Sequence, residues 1–191
     1  MKTRAETVEA TRRRIVQAAF GLQTERLTPA IALEAVAERA GVSVQTVLRQ
    51  FGSRVGLFDA AMEYGAEVVT EERRAIPGDV EGATRAIVEH YELRGDGVIL
   101  LLAQERVEEA ICRITERGRK LHRDWVLETF APSLEKVAPP DKEALIDLLV
   151  VATDVYTWKL LRRDRGLSRE ATELRIMHLL STLLGTSHKE A

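Results

Sequence analysis

Six side chains within ten positions could do chemistry together: Gln45, Thr46, Leu48, Arg49, Gln50 and Arg54. The glutamine amide can pair with adenine in a bidentate way, and the arginine fork can do the same to guanine. Leu48 has two open readings, a thymine methyl in a groove or packing against the first helix. None of these groups reads a base edge unless something rigid presents it. The stretch Ala37 to Phe51, AERAGVSVQTVLRQF, supplies the means. Gly41 stands where a helix must stop, and glycine tolerates the left-handed backbone that this requires. Val42 is apolar inside a turn and should tuck under the helix pair. Ser43 can cap the next helix by accepting from an early backbone N–H. Val47 and Phe51 lie one turn apart and face inward, which leaves Thr46, Arg49 and Gln50 outside. Two helices joined by a glycine turn, the second short and polar on one edge, make a helix-turn-helix.

Residues 8–62 resemble the DNA-binding half of the TetR family of bacterial transcriptional regulators. Ala40-Gly41-Val42-Ser43 match the family pattern outright, and Thr46, Phe51 and Arg54 match in kind. Leu48 stands where the family usually carries a phosphate-contacting tyrosine, and Gln50 where it often has histidine. The resemblance implies phosphate contacts for Thr46 and Arg54. Arg54 also falls in the first turn of the following helix, where backbone N–H groups favour an anion. Beyond residue 62 the likeness rests on size and helical layout.

Composition agrees with that division of labour. The net charge is -2, but residues 1–60 hold nine Lys/Arg against six Asp/Glu, and the remainder 19 against 24. A phosphate-facing module needs the basic share, and here it coincides with the helix-turn-helix. Hydrophobic residues make up 45% of the chain, ordinary for a globular protein. A single cysteine, Cys112, excludes an internal disulfide and fits a reducing cytoplasm. The N-terminal residues lack the apolar core of a signal peptide. The longest apolar run, 98–103, is too short to span a bilayer, so no membrane partner is expected.

The expected class is all-α: a three-helix head over 1–53 and a larger helical body over 54–191, with a connecting helix from about 54 to 75. Lys2 and Arg4 stand in a terminal arm, read as solvated, with a phosphate or minor-groove contact as the alternative. The first helix is expected over 8–23 with Ile15, Ala18, Ala19 and Leu22 inward. Arg12, Arg13 and Arg14 fan around it, and at most two of them can face DNA. Thr28-Pro29 should open the second helix, and the third spans 44–51. In the body, helices are expected over 80–93 and 98–104 with a turn at Arg94-Gly95-Asp96-Gly97. One or two more are expected over 105–136, with Val107, Ile111, Ile114, Leu121 and Trp125 on one face and Gly118 beside them. Pro132 marks a bend or a stop, and 138–141 a loop.

Two last helices, about 142–163 and 168–186, are apolar over far more of their circumference than one core needs. In the second of them the apolar residues spread over about 220° of the helical wheel, against roughly 100° for an ordinary core helix. A second copy of the chain, paired across a twofold axis, would cover the excess. Burial deep in a monomer is the other reading.

The resemblance further implies a small-molecule pocket in the body whose occupancy moves the two heads apart. Its candidate lining is His90, Tyr91, Leu101, Ile114, Leu121, His122, Trp125, Tyr156 and Trp158, and ordinary core packing is the alternative for each. Enzymatic readings find little. His90, His122, His178 and His188 show no metal-ligand spacing, and no nucleophile elbow or phosphate loop occurs. Cys112 reads as a packed core thiol. No cofactor and no metal are expected. The expected function is a transcriptional regulator, most often a repressor, that binds a palindromic operator in double-stranded DNA as a homodimer and is released by an apolar effector. The competing readings are a helical protein-interaction module with a purely structural helix-turn-helix and, second, a small helical enzyme.

Overall fold

The computed structural model describes residues 4–27 and 31–185, and within them every regular element is helical. In chain order these are α1 (Arg4–Glu25), α2 (Leu33–Ala40), α3 (Val44–Phe51), α4 (Arg54–Glu72), α5 (Val80–Leu102) and α6 (Glu109–Thr129). They continue with α7 (Ala131–Leu134), α8 (Pro139–Ala152), α9 (Val155–Lys159) and α10 (Arg169–Leu183). A wider π-type turn, Leu160–Asp164, follows α9. The all-α expectation holds.

Backbone proximity groups the chain into two compact units. One contains the residues up to Val68 together with 100–116, and the other contains 69–99 together with 117 onward. The first is called the head and the second the body. The division falls inside α4, α5 and α6.

The head has an apolar centre. Ile15, Ala18, Ala19 and Leu22 of α1 meet Val36, Ala37 and Ala40 of α2, Val47 of α3, and Leu57, Phe58 and Ala61 of α4. The three- and four-residue spacing of these positions puts each set on one helix face. Val42 and Phe51 pack at the edge of this cluster, as expected. α1 starts one turn earlier than the sequence suggested, at Arg4. Lys2 and the Thr28-Pro29 start signal lie outside the described residues.

Four expectations beyond α4 need correction. Residues 80–102 form one helix, with no turn at Arg94-Gly95-Asp96-Gly97. A Cβ on Gly95 would sit 2.4 Å from the Trp158 ring, so the glycine admits an indole and does not turn the chain. The polar neighbours that made the segment look like a loop have partners: Arg94 binds Glu72 at 2.7 Å, and Asp96 binds Arg163 at 3.0 Å.

Second, Val107 does not share the apolar face of α6; it precedes the helix and is exposed. Gly118 has open space where a side chain would go, and Cys112 is only half-buried. Third, Pro139 and Pro140 belong to the first turn of α8, where their missing N–H groups cost nothing. Fourth, the expected helix over 142–163 breaks at Thr153-Asp154. The Thr153 hydroxyl donates back to Leu149 O at 2.7 Å, and the Asp154 carboxylate accepts from Tyr156 N at 2.8 Å to start α9. α10 begins as expected, with Ser168 Oγ accepting from Ala171 N at 3.1 Å. Among the described residues no helix is long and apolar enough to cross a membrane.

Candidate nucleic-acid interface

The short helix α3 is held from both ends and from beneath. At its start, Ser43 Oγ accepts from Thr46 N at 3.2 Å and lies 3.0 Å from the Thr46 hydroxyl. This satisfies one of the donors that every helix N-terminus leaves over. Gly41 ends α2 at φ 66°, and Val42 N bonds back to Ala37 O at 2.9 Å, closing the turn. Beneath, Val47 is fully buried. At the far end, Arg12 Nη1 donates to Gln50 O at 3.1 Å and its guanidinium stacks 4.5 Å over the Phe51 ring. Arg14 Nε reaches Ala40 O, the last carbonyl of α2, at 3.5 Å. Two of the three clustered arginines on α1 are therefore used to fasten helix ends, which charge and spacing alone did not reveal.

What α3 leaves outside is its polar edge. Gln45, Leu48 and Arg49 are exposed, and Thr46 and Gln50 are half-buried. Leu48 at 40% exposure stays on the surface, beside the residues that can read a base, and does not pack into the core. Arg54 is exposed at the start of α4, with Nε donating to Ile31 O at 3.3 Å and the guanidinium 4.5 Å over Phe58. Four of the six candidate residues, Gln45, Leu48, Arg49 and Arg54, are thus exposed on α3 and the start of α4. A helix of this length with hydrogen-bonding side chains on its free edge fits the major groove.

The nine candidate pocket residues do not stay together. His90, Tyr91, His122, Trp125 and Trp158 join in one buried network of the body. The Tyr91 hydroxyl donates to Thr153 O at 3.0 Å, and its ring lies 5.3 Å from His90 and 5.9 Å from Trp158. His122 stacks on Trp125 at 5.9 Å. The Trp125 indole donates to Arg73 O at 2.7 Å, and the Trp158 indole to Glu92 at 2.9 Å. Leu121 is half-buried in the same unit, Leu101 and Ile114 belong to the head unit, and Tyr156 is exposed. The residue that ties the network together, Arg73, was not among the candidates. In the run EERRA it looks like one more solvated charge, yet it is buried. Burial holds both histidines well below their ordinary 6.5, at about 4, so both are neutral near pH 7. Burial pushes Glu72 up, but hydrogen bonds from His90 and Arg94 outweigh it and bring the carboxyl down to about 2.

Residues 15–61 match the family model described as bacterial regulatory proteins, tetR family. No curated protein matches the chain. Among solved structures, a tetR-family transcriptional regulator from Streptomyces coelicolor aligns over 96% of this chain and 82% of its own, with TM-score 0.72 and 17% identity. A transcriptional regulator from Rhodococcus sp. Rha1 aligns over 91% and 96%, with TM-score 0.68 and 17% identity. A TetR transcriptional regulator from Rhodococcus sp. RHA1 aligns over 92% and 96%, with TM-score 0.56 and 20% identity. At such identities the neighbours speak for the fold, while the family match falls on the segment that builds the exposed α3. Over residues 15–61 the chain thus matches the tetR family of bacterial regulatory proteins, and along nearly its whole length it has the fold of the solved TetR-family transcriptional regulators.

Proposed function

We propose that this protein is a repressor that binds a palindromic operator as a homodimer and leaves it when a small molecule occupies the body. In this reading residues 1–53 read DNA and residues 54–191 form the regulatory and dimerising part. The observation that carries the DNA half is the free edge of α3. Gln45 and Arg49 reach base edges, Leu48 meets a thymine methyl, Gln50 assists, and Thr46 and Arg54 take phosphates. The dimer half is supported by exposed apolar side chains on the last helices: Leu148 and Val151 on α8, Tyr156 on α9, Leu160 after it, and Leu174 and Leu179 on α10. Exposed apolar side chains gathered on the last helices in this way are what a subunit contact would cover.

Selection of bound DNA from a random pool tests both halves at once. The expected product is an inverted repeat with half-site centres one helical turn, about 34–36 Å, or a multiple apart. Enrichment of a single asymmetric site would defeat the dimeric reading. No enrichment, with binding that merely tracks ionic strength, would defeat sequence-specific control altogether.

A further inference from the structure

A buried guanidinium needs a negative partner, and Arg73 lacks one among the described residues. The side chain is 7% exposed, in the position just after α4. Its Nη1 lies 3.4 Å from His122 Nδ1, its guanidinium carbon lies 5.3 Å over the Tyr91 ring, and its Nε has no hydrogen-bond partner. Arginine keeps its charge in any protein setting. A charge left in a low-dielectric interior without a counter-ion is strongly disfavoured.

Neither of the nearby carboxylates forms an ion pair with it. Glu72, the adjacent residue, is bonded to His90 at 2.8 Å and to Arg94 at 2.7 Å. Asp154 feels the Arg73 charge, but its oxygen caps α9 through Tyr156 N. The imidazole of His122 offers only a neutral lone pair. Its other nitrogen faces Val150 O at 3.3 Å and so carries the hydrogen. A tyrosine face and a lone pair attract a cation, but less than a carboxylate does.

A second unsatisfied group lies in the same network. His90 is fully buried and gives its Nδ1 hydrogen to Glu72, so its Nε2 is an acceptor, and that atom too has no partner. One network, which also contains Tyr91, His122, Trp125 and Trp158, therefore holds an unmatched cationic donor and an unmatched neutral acceptor. The complement of such a surroundings is an oxyanion carried on an apolar or aromatic body.

We infer that Arg73 is the receptor for the carboxylate of a small apolar organic acid, bound in the body with its hydrocarbon part against the aromatic side chains. This rests on the effector reading above and gives that effector a chemical class. The guanidinium takes the carboxylate through its Nε and Nη edge, the fork geometry that fits two oxygens. Tyr91 and Trp125 supply the apolar contact, and a donor on the ligand, where there is one, meets His90 Nε2.

The test uses the full-length protein, thermal melting and calorimetric titration. The probes are butyrate through decanoate, benzoate and phenylacetate, each beside its uncharged amide. The expected result is that at least one acid raises the melting temperature by roughly 5 °C or more at about 100 times its Kd. Its amide should bind at least about tenfold more weakly. Arg73→Met should lose that response while the ligand-free variant melts no lower than the parent, because the substitution removes an unpaired buried charge. Arg73→Lys should keep a weakened response. The inference is overturned if no acid of the panel stabilises the parent, if amides do as well as acids, or if Arg73→Met still responds. A silent panel together with a sharply destabilised Arg73→Met would make Arg73 a structural residue. Operator binding is read separately. If the acid binds through Arg73 yet DNA is retained, the site stands and release by an effector falls.

Discussion

The head and the body solve the same packing problem with different materials. In the head the cluster beneath α3 is aliphatic and aromatic throughout, with Val47, Leu57 and Ala61 fully buried; Gln23 is a buried polar exception on α1. In the body, Arg73, His90, His122 and Thr153 are buried among Tyr91, Trp125 and Trp158. An apolar cluster has one good arrangement and holds its surface in a fixed geometry. A polar network with unmatched atoms carries a standing cost, which another partner can lift. The proposed DNA-reading edge and the proposed carboxylate site would call for these two kinds of interior.

The contrast can be attacked most sharply in the head. Val47→Asp places an unpaired carboxylate beneath α3 and should destabilise the head by on the order of 5 kcal/mol. Denaturant unfolding followed by circular dichroism should show the early loss of part of the helix signal, with operator binding gone. A variant that melts and binds like the parent would mean that α3 does not depend on that cluster.

Acid should strike the body instead. An unfolded chain protonates histidine near 6.5, whereas the native state holds His90 and His122 at about 4. Between those values the unfolded chain takes up protons that the native state refuses, so stability falls as pH drops from about 6.5 toward 4, by up to about 3 kcal/mol per histidine. Glu72, with an ordinary value of 4.5 and a native value of about 2, extends the loss over that lower window. Melting curves from pH 8 down to pH 4, about one unit apart, should show the Trp125 and Trp158 fluorescence transition moving down while Val47-dependent operator binding near pH 6 is kept. A flat pH profile would remove the buried-imidazole account.

Smaller effects refine the comparison. Gly95→Ala drives a methyl into the Trp158 ring and should cost about 1–3 kcal/mol of body stability, read from the tryptophan-monitored melt. If Gly95 marked a turn, alanine would be tolerated. Arg49→Ala should cost about 1–3 kcal/mol on the selected operator and clearly less on random DNA, measured by fluorescence anisotropy at fixed salt. Equal losses on both would reassign Arg49 to a phosphate. Ser43→Ala removes the α3 cap and should cost about 1 kcal/mol, a shift in the denaturation midpoint that Ser43→Asp should restore.

The head was legible because its information is local. A left-handed glycine, a capping serine and apolar residues one turn apart specify α2, the turn and α3 before any long-range contact forms. The expected 44–51 helix is the observed one. The body resisted reading where a residue answers to a distant partner. Gly95 and Asp96 look like turn residues until Trp158 and Arg163 are brought beside them. The break at Thr153-Asp154 hides inside an apolar run that reads as a continuing helix. In the head the same holds for Arg12, one of three arginines of which at most two were expected to face DNA, and which Gln50 O and Phe51 engage.

The sequence by itself therefore determined the helical class, the helix-turn-helix and the polar edge of α3, all of which follow from spacing along one or two turns. Only the tertiary structure decided that Arg73 is buried, that its neighbouring acid is already engaged, and that the two unmatched atoms share one network. Burial of a charge depends on which helices close over it, and residue type and periodicity hold no record of that.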